Sequence, residues 1–326
     1  MILKVLCVGD VHFRHASIAE NDLLIEKLKK KVWDTAPNIV VFMGDLLHNH
    51  GTTYVQPFNQ VLKLLKEIGS ICPVYVLVGN HDYINNSQFL SDNHFLKAFS
   101  GLERVMVVDR VVEQYGLVMM PYVPPGRFVE ALDTHEDWKS AKAILCHQDF
   151  YGVELNGIKM EHGDKWPEDF PLVISGHIHE HQWLQKNICY VGTPYMTTFA
   201  ETDEKGISLF TFGDTVSHTR VDTEMPKKLT LTLSVEDAKG YKPPVNTHVR
   251  LMVEGESSEL TAFRKTQAYT KLIEKNVKIV LSPVSKQKEQ IQINKKTYLE
   301  LLKEMVGTDE ELLRTFNEVL DATKVG

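Results

Sequence analysis

The sequence predicts an α/β domain followed by a smaller α+β unit, and three observations carry that prediction. Through the first 225 residues, short β-branched apolar runs alternate with stretches of helical periodicity, as layered α/β folds require. Five segments place Asp, Asn or His at the end of such a run: Gly9-Asp10-Val11-His12, Gly44-Asp45, Gly79-Asn80-His81-Asp82, His147, and Gly176-His177-Ile178-His179. After Met225-Pro226 the charge changes sign: residues 226–296 hold 14 Lys and Arg against 7 Asp and Glu, in a chain of formal net charge −7.

The elements follow in order. Strands are expected over 3–8, 39–43, 74–78, 104–108, 117–120, 143–146 and 172–175, then over 188–191, 207–212 and 216–221, where hairpin-like pairs suggest a mixed sheet. Helices fall between them. Residues 18–33 present Leu24, Leu28 and Trp33; residues 54–68 present Val61, Leu62, Leu64, Leu65 and Ile68 before a stop at Gly69. Residues 87–99 present Phe89, Leu90, Phe95, Leu96 and Phe99, and a further helix is expected over 128–142. The polar stretch after His147, with Gly152, Gly157 and Gly163, reads as a loop over the site. Beyond the boundary, strand (229–234), strand (247–254), helix (259–274) and strand (278–281) describe the small unit, and residues 295–322 have helical spacing. The expected division is 1–225, a basic unit over 226–296, and a C-terminal helical segment over 297–326.

The 326 residues suffice for one large domain and one small one, and 43% hydrophobic with 24% charged residues is ordinary for a globular protein. No apolar stretch is long enough to span a bilayer, and the apolar N-terminus is too short for a signal peptide. The expectation is an intracellular protein without a membrane association, cytoplasmic if bacterial or phage-encoded. Cys7, Cys72, Cys146 and Cys189 lack CxxC spacing and read as buried reduced thiols rather than zinc ligands.

The five segments point to metal chemistry. Carboxylate oxygen, imidazole nitrogen and an amide carbonyl suit manganese, zinc, iron or magnesium. Asp10-x-His12 puts two side chains on one side of the backbone as a strand ends, so both reach one ion. His177-x-His179 repeats the spacing. Asp45, with two oxygens, is able to bridge two ions, and Asn80 supplies an oxygen without adding negative charge where a phosphate must dock. His81 need not bind metal; as a protonated imidazole it is placed to stabilise a phosphoryl transition state or protonate a leaving oxygen. Turn formation or helix capping explains one or two of these residues, not the set. A two-metal hydrolytic centre is the reading.

In this order, GDVH, GDLLH, GNHD, a lone His after a strand and GHIH resemble the calcineurin-like metallophosphoesterase superfamily. That resemblance implies a four-layer α/β/β/α fold. It also implies one metal held by Asp10, His12, Asp45 and His179, another by Asp45, Asn80, His147 and His177, and His81 as the catalytic non-ligand histidine, with Asp82 beside it. GDLLH with His48, and Gly192-Thr193-Pro194 after GHIH, are similar to SbcD-type DNA double-strand-break repair nucleases, and His147-Gln148-Asp149-Phe150-Tyr151-Gly152 to their compact phage branch. This finer resemblance implies a manganese-dependent exonuclease or endonuclease. It further implies a DNA-capping role for residues 226–296 through backbone contacts, a homodimer contact built after the second and third motifs, and a coiled-coil SMC-like ATPase partner bound by the C-terminal segment. A phosphatase of small molecules or phosphoproteins, or a scaffold subunit, is the alternative on the same fold. One departure stands out: the family's first motif usually reaches a glycine two residues after its histidine, and this chain has Arg14. His15, His50, His94, His135, His162, His181, His218 and His248 are expected in loops or at the surface.

Overall fold

The computed structural model describes residues 2–155, 158–201 and 204–284, together with Leu312 and Arg314. Two six-stranded sheets stack face to face. The first has β1 (Leu3–Val8) at its centre, with parallel neighbours β2 (Ile39–Phe42), β3 (Val74–Leu77) and β4 (Val105–Val108) on one side. Antiparallel β13 (Ile207–Phe212) and β14 (Val216–Val221) complete it on the other side. The second sheet runs β11 (Gln182–Gln185), β12 (Ile188–Tyr190), β10 (Leu172–Ser175), β7 (Ala143–Cys146), β6 (Leu117–Met119) and β5 (Val112–Gln114), with antiparallel strands at both edges.

Side-chain alternation explains the layering. Val5 and Cys7 of β1 enter the core between the sheets, with Val41, Leu77, Leu145 and Ile174. Leu6 and Val8 face the other way, onto α1 (Ile18–Thr35) and α2 (Val55–Gly69), where Leu24, Leu28, Leu64 and Ile68 meet them. Both faces of β1 are covered, so its sequence is apolar throughout. On the far side of the second sheet, Val118, Ile144 and Val173 pack against Phe128 of α3 (Phe128–Leu132) and the aromatic loop residues Trp138, Phe150 and Trp166. The order helix, sheet, sheet, helix-and-loop is the expected four-layer α/β arrangement.

A third sheet of parallel strands, β15 (Lys227–Ser234), β16 (Thr247–Gly255) and β17 (Lys278–Pro283), has its own core. Helix α4 (Val235–Gly240) links its first two strands; α5 (Ser257–Phe263) and α6 (Gln267–Glu274) link the last two. Leu251, Val253, Leu260, Phe263 and Leu272 fill the face beneath those helices. Lys228 ties this sheet to the first unit through Glu20 (2.8 Å) and the Met196 carbonyl (2.6 Å).

Several expected elements differ. Residues 87–99 form no α-helix: bends lead into a short 3₁₀ turn at Phe95–Phe99. Asn85 Oδ1 accepts from the Ser87 N–H (3.0 Å) and Ser91 Oγ from the Asn93 N–H (3.1 Å), so local side chains capture the donors a helix would use. The apolar residues also serve two cores, Phe89 and Leu90 one and Leu96 and Phe99 the other. The helix over 128–142 stops at Leu132, and Asp137 takes φ +60° before a 3₁₀ turn at Trp138–Ser140. The helix over 259–274 is two helices, the second capped by Thr266, whose Oγ1 accepts from the Tyr269 N–H. The loop after His147 holds a small hairpin, β8 (Glu154–Leu155) with β9 (Ile158–Lys159). The helical stretch over 295–322 lies outside the described residues apart from Leu312 and Arg314, as do four of the 14 basic residues of the 226–296 segment. All four cysteines are free and buried, and among the described residues no helix is long and apolar enough to cross a membrane.

Candidate metal centre

The C-terminal ends of β1, β2 and β3 in one sheet and of β7 and β10 in the other open at the same edge of the sandwich. Crevices beyond strand C-termini are the usual ligand sites of α/β folds. The chain reaches this edge through strained turns. His12, Asp45 and His177 all have left-handed backbones, with φ of +43°, +53° and +74°. The glycines before the polar residues permit close approach. At Gly44 (φ +108°) an added Cβ would stand 2.5 Å from His147 Nδ1, and at Gly79 it would collide with the Asp45 carboxylate.

Hydrogen bonds then lock the loops together. Asp82, fully buried, accepts from the N–H groups of Asp45 (2.8 Å), Leu46 (3.0 Å) and Gly79 (2.8 Å), so both of its oxygens are spent beneath the centre. It is a positioning residue; the expected place beside the reacting atoms is not where the fold puts it. Asp45 Oδ1 accepts from the His81 N–H (2.9 Å), and Asp10 Oδ1 from the His177 N–H (3.2 Å).

The seven residues Asp10, His12, Asp45, Asn80, His147, His177 and His179 converge as two donor groups. In one, Asn80 Oδ1, His147 Nε2 and His177 Nδ1 lie 2.9, 3.0 and 3.1 Å from one another. His147 Nδ1 donates to the Met43 carbonyl (2.7 Å), and His177 Nε2 to Asp149 Oδ1 (3.1 Å). With both rings neutral, each turns its unprotonated nitrogen inward and three lone pairs meet. That arrangement is repulsive unless a cation sits among them. Two imidazole nitrogens and an amide oxygen are donors that a divalent first-row ion would accept. In the other group, His12 Nε2 lies 3.1 Å from His179 Nε2, with the Asp10 carboxylate in reach; Asp10 Oδ2 is buried without a hydrogen-bond partner among the described residues. Asp45 stands between the groups, Oδ1 3.5 Å from His147 Nε2 and Oδ2 3.6 Å from His12 Nε2. The donor set fits divalent metal ions.

The electrostatics agree. Burial lifts Asp10 to about 7 and raises Asp45 well above the carboxylate range; burial likewise holds His12 and His147 well below the ordinary imidazole value and His179 at about 4. Desolvation thus penalises charge on the carboxylates and on the imidazoles, and a bound cation reverses the penalty for the carboxylates alone. His177 is the exception: burial opposes its charged form, but the Asp149 hydrogen bond and charge outweigh it and raise its pKa.

His81 lies beside the donors without joining either group, its Nδ1–H donated to the His48 carbonyl (2.6 Å) and its ring 4.9 Å from that of His12. Burial lowers it to about 4, so the imidazolium expected there is not its resting form. His48 reaches the site twice, through that carbonyl and through a ring 5.4 Å from His12; His50, expected in a loop or at the surface, lies in the loop after Asp45 and stacks on His81 at 4.1 Å. His94 is also away from the surface, its ring buried 3.6 Å from Asp109. Sequence reasoning passed over Asp149, which orients His177. Its signal was the spacing: His147-x-Asp149 is the same one-sided pair as Asp10-x-His12.

Residues 3–181 match the family model of calcineurin-like phosphoesterases. Protein 078R of Invertebrate iridescent virus 3 is 36% identical over 321 residues, covering 94% of this chain and 92% of its own. Protein 244L of Invertebrate iridescent virus 6 is 35% identical over 277 residues, covering 81% and 98%. Both carry phosphoesterase in their names. Among solved structures, TT1561 of Thermus thermophilus aligns with 68% of this chain and 99% of its own at 14% identity, with a TM-score of 0.42.

Proposed function

The chain belongs to the calcineurin-like phosphoesterase family, which hydrolyses phosphoester bonds with divalent metals, and on that premise we propose that it is a DNA nuclease with a two-metal centre. The observation that carries the two-metal reading is Asp45, one oxygen turned toward each donor group. Asp10, His12 and His179 with Asp45 would hold one ion; Asn80, His147 and His177 with Asp45 would hold the other. The mixture of carboxylate, amide oxygen and imidazole suits manganese. When bound, such ions neutralise phosphoryl charge and favour ionised water at neutral pH.

The chain's own residues do the rest. Asp149 and the Met43 carbonyl fix which nitrogen His177 and His147 present. Asp82 holds the second and third loops in register. His81, its Nδ1 proton given to His48, keeps Nε2 for substrate. A phosphate beside it raises its proton affinity, and Nε2–H then serves the leaving oxygen.

Charge and geometry support DNA as the substrate. Register aligns Thr230, Arg250 and Lys278 in one row across the third sheet, on the face opposite its helices. The Arg250 guanidinium lies 4.3 Å over the Phe199 ring, next to Thr197 and Thr198, which line the cavity of His177 and His179. A duplex backbone on this face would lead into the centre through phosphate contacts, without reading bases. Exposed Tyr54, Val55 and Ile84, from the region after the second and third motifs, support a homodimer contact. By the same reading a coiled-coil SMC-like ATPase is the partner of the C-terminal segment.

The test is cleavage of blunt and overhanging duplexes with manganese or magnesium, alone and with a co-expressed ATPase. Manganese-dependent cleavage is expected. A phosphomonoester turned over far faster than any DNA would assign the site to a phosphatase instead.

A further inference from the structure

Among the described residues, Arg14 is a cation without a counter-charge at the rim of the centre. The two residues before it are fixed: the His12 N–H donates to Asp45 O (3.0 Å), the Phe13 N–H to Leu46 O (2.9 Å), and the Phe13 ring is buried. The Arg14 backbone is extended (φ −124°, ψ 146°), and its carbonyl accepts from Asn21 Nδ2 (3.1 Å). Its side chain lines a cavity of about 500 Å³ together with Asp149, His177 and His179. Its charge is felt at His12 and His179, which belong to the donor group of Asp10, and at His48 beside them.

Nothing among the described residues satisfies the guanidinium. Nε is buried without a hydrogen-bond partner, and no carboxylate pairs with the group. The nearby acids are taken: Glu201 by Lys205 (2.8 Å), Glu20 by Lys228 (2.8 Å) and Asp149 by His177 (3.1 Å). A half-buried cation is costly until an anion reaches it. Its planar fork matches two phosphoryl oxygens.

Resting on the phosphoesterase reading, we propose that Arg14 binds the non-bridging oxygens of the phosphate undergoing hydrolysis, taking the place of the glycine usual in the family. The experiment compares Arg14→Gln and Arg14→Lys with the wild type, all metal-loaded, on bis(p-nitrophenyl) phosphate, which has a single phosphate, and on duplex DNA. Binding of inorganic phosphate is measured alongside by calorimetry. Arg14→Gln is expected to raise KM for the small diester and weaken phosphate binding by about ten- to a hundredfold, the worth of a hydrogen bond to a charged group. Metal content and Tm should stay at wild-type values, and Arg14→Lys should recover part of the loss. Wild-type KM and phosphate affinity in Arg14→Gln would overturn the proposal, as would a loss confined to DNA, which would mean contact with a neighbouring phosphate. Loss of metal or of Tm in Arg14→Gln would overturn it too, by making the role structural. If the wild type cleaves the small diester and not DNA, the nuclease reading fails while Arg14 is still decided by phosphate affinity.

Discussion

Asp45 offers one oxygen to each donor group. Removing it should therefore empty both positions together. Asp45→Ala is expected to lower bound metal toward zero and abolish hydrolysis; normal metal content with full activity would rule out a shared ligand. His81 makes the opposite prediction, because its ring stands 4.9 Å from that of His12 and outside the two donor groups that Asp45 joins. His81→Ala should keep its metal while losing roughly 10²–10⁴ in turnover, the usual worth of a general acid or base. Metal analysis beside steady-state kinetics separates the two cases. Residue identity was legible here because few local structures require Asp-x-His or His-x-His at a strand end. Asp149 was less legible, since its role depends on His177, which lies 28 residues further along and on another strand end.

At the scale of elements, the centre is a set of loops that Asp82 pins from below. Asp82→Ala leaves the N–H groups of Asp45, Leu46 and Gly79 without their acceptor in a buried place. At about 1–3 kcal/mol for each buried unsatisfied group, the loss should exceed about 3 kcal/mol, read as a lower urea midpoint with metal content falling alongside. Gly79→Ala attacks the same junction sterically, by driving a methyl group into the Asp45 carboxylate. It should reduce metal affinity even where the variant folds, and calorimetric titration with manganese checks this. The segment 87–99 shows why element type was hard to read. Its apolar spacing is helical, yet Phe89 and Leu90 belong to one core and Leu96 and Phe99 to another. A single helix face cannot serve both, and Asn85 and Ser91 supply the turns that let the chain cross between them.

Across the whole molecule, the sandwich holds buried carboxylates and imidazoles that repel charge until cations arrive. Chelation should lower Tm, and restoring manganese should raise it again. At a hundred times the dissociation constant, each site contributes about 2.7 kcal/mol to stability. A Tm indifferent to chelator would contradict a metal centre held by the folded state. DNA affinity should fall steeply with salt, on the order of 10³-fold between roughly 50 and 200 mM if six or more phosphates are contacted. A flat salt response would remove the third sheet as a DNA surface. The sequence by itself determined the layered class and which donor-bearing residues stand at strand ends, because those depend on local spacing and on alternation along one strand. Only the tertiary structure decided that Asp45 stands between two donor groups, that Asp82 faces backbone instead of substrate, and that the Arg14 guanidinium has no partner among the described residues. Each of these depends on which loops from two separate sheets meet at one edge, and that follows from the packing of the sheets, a non-local consequence of burying both faces of β1 and its neighbours.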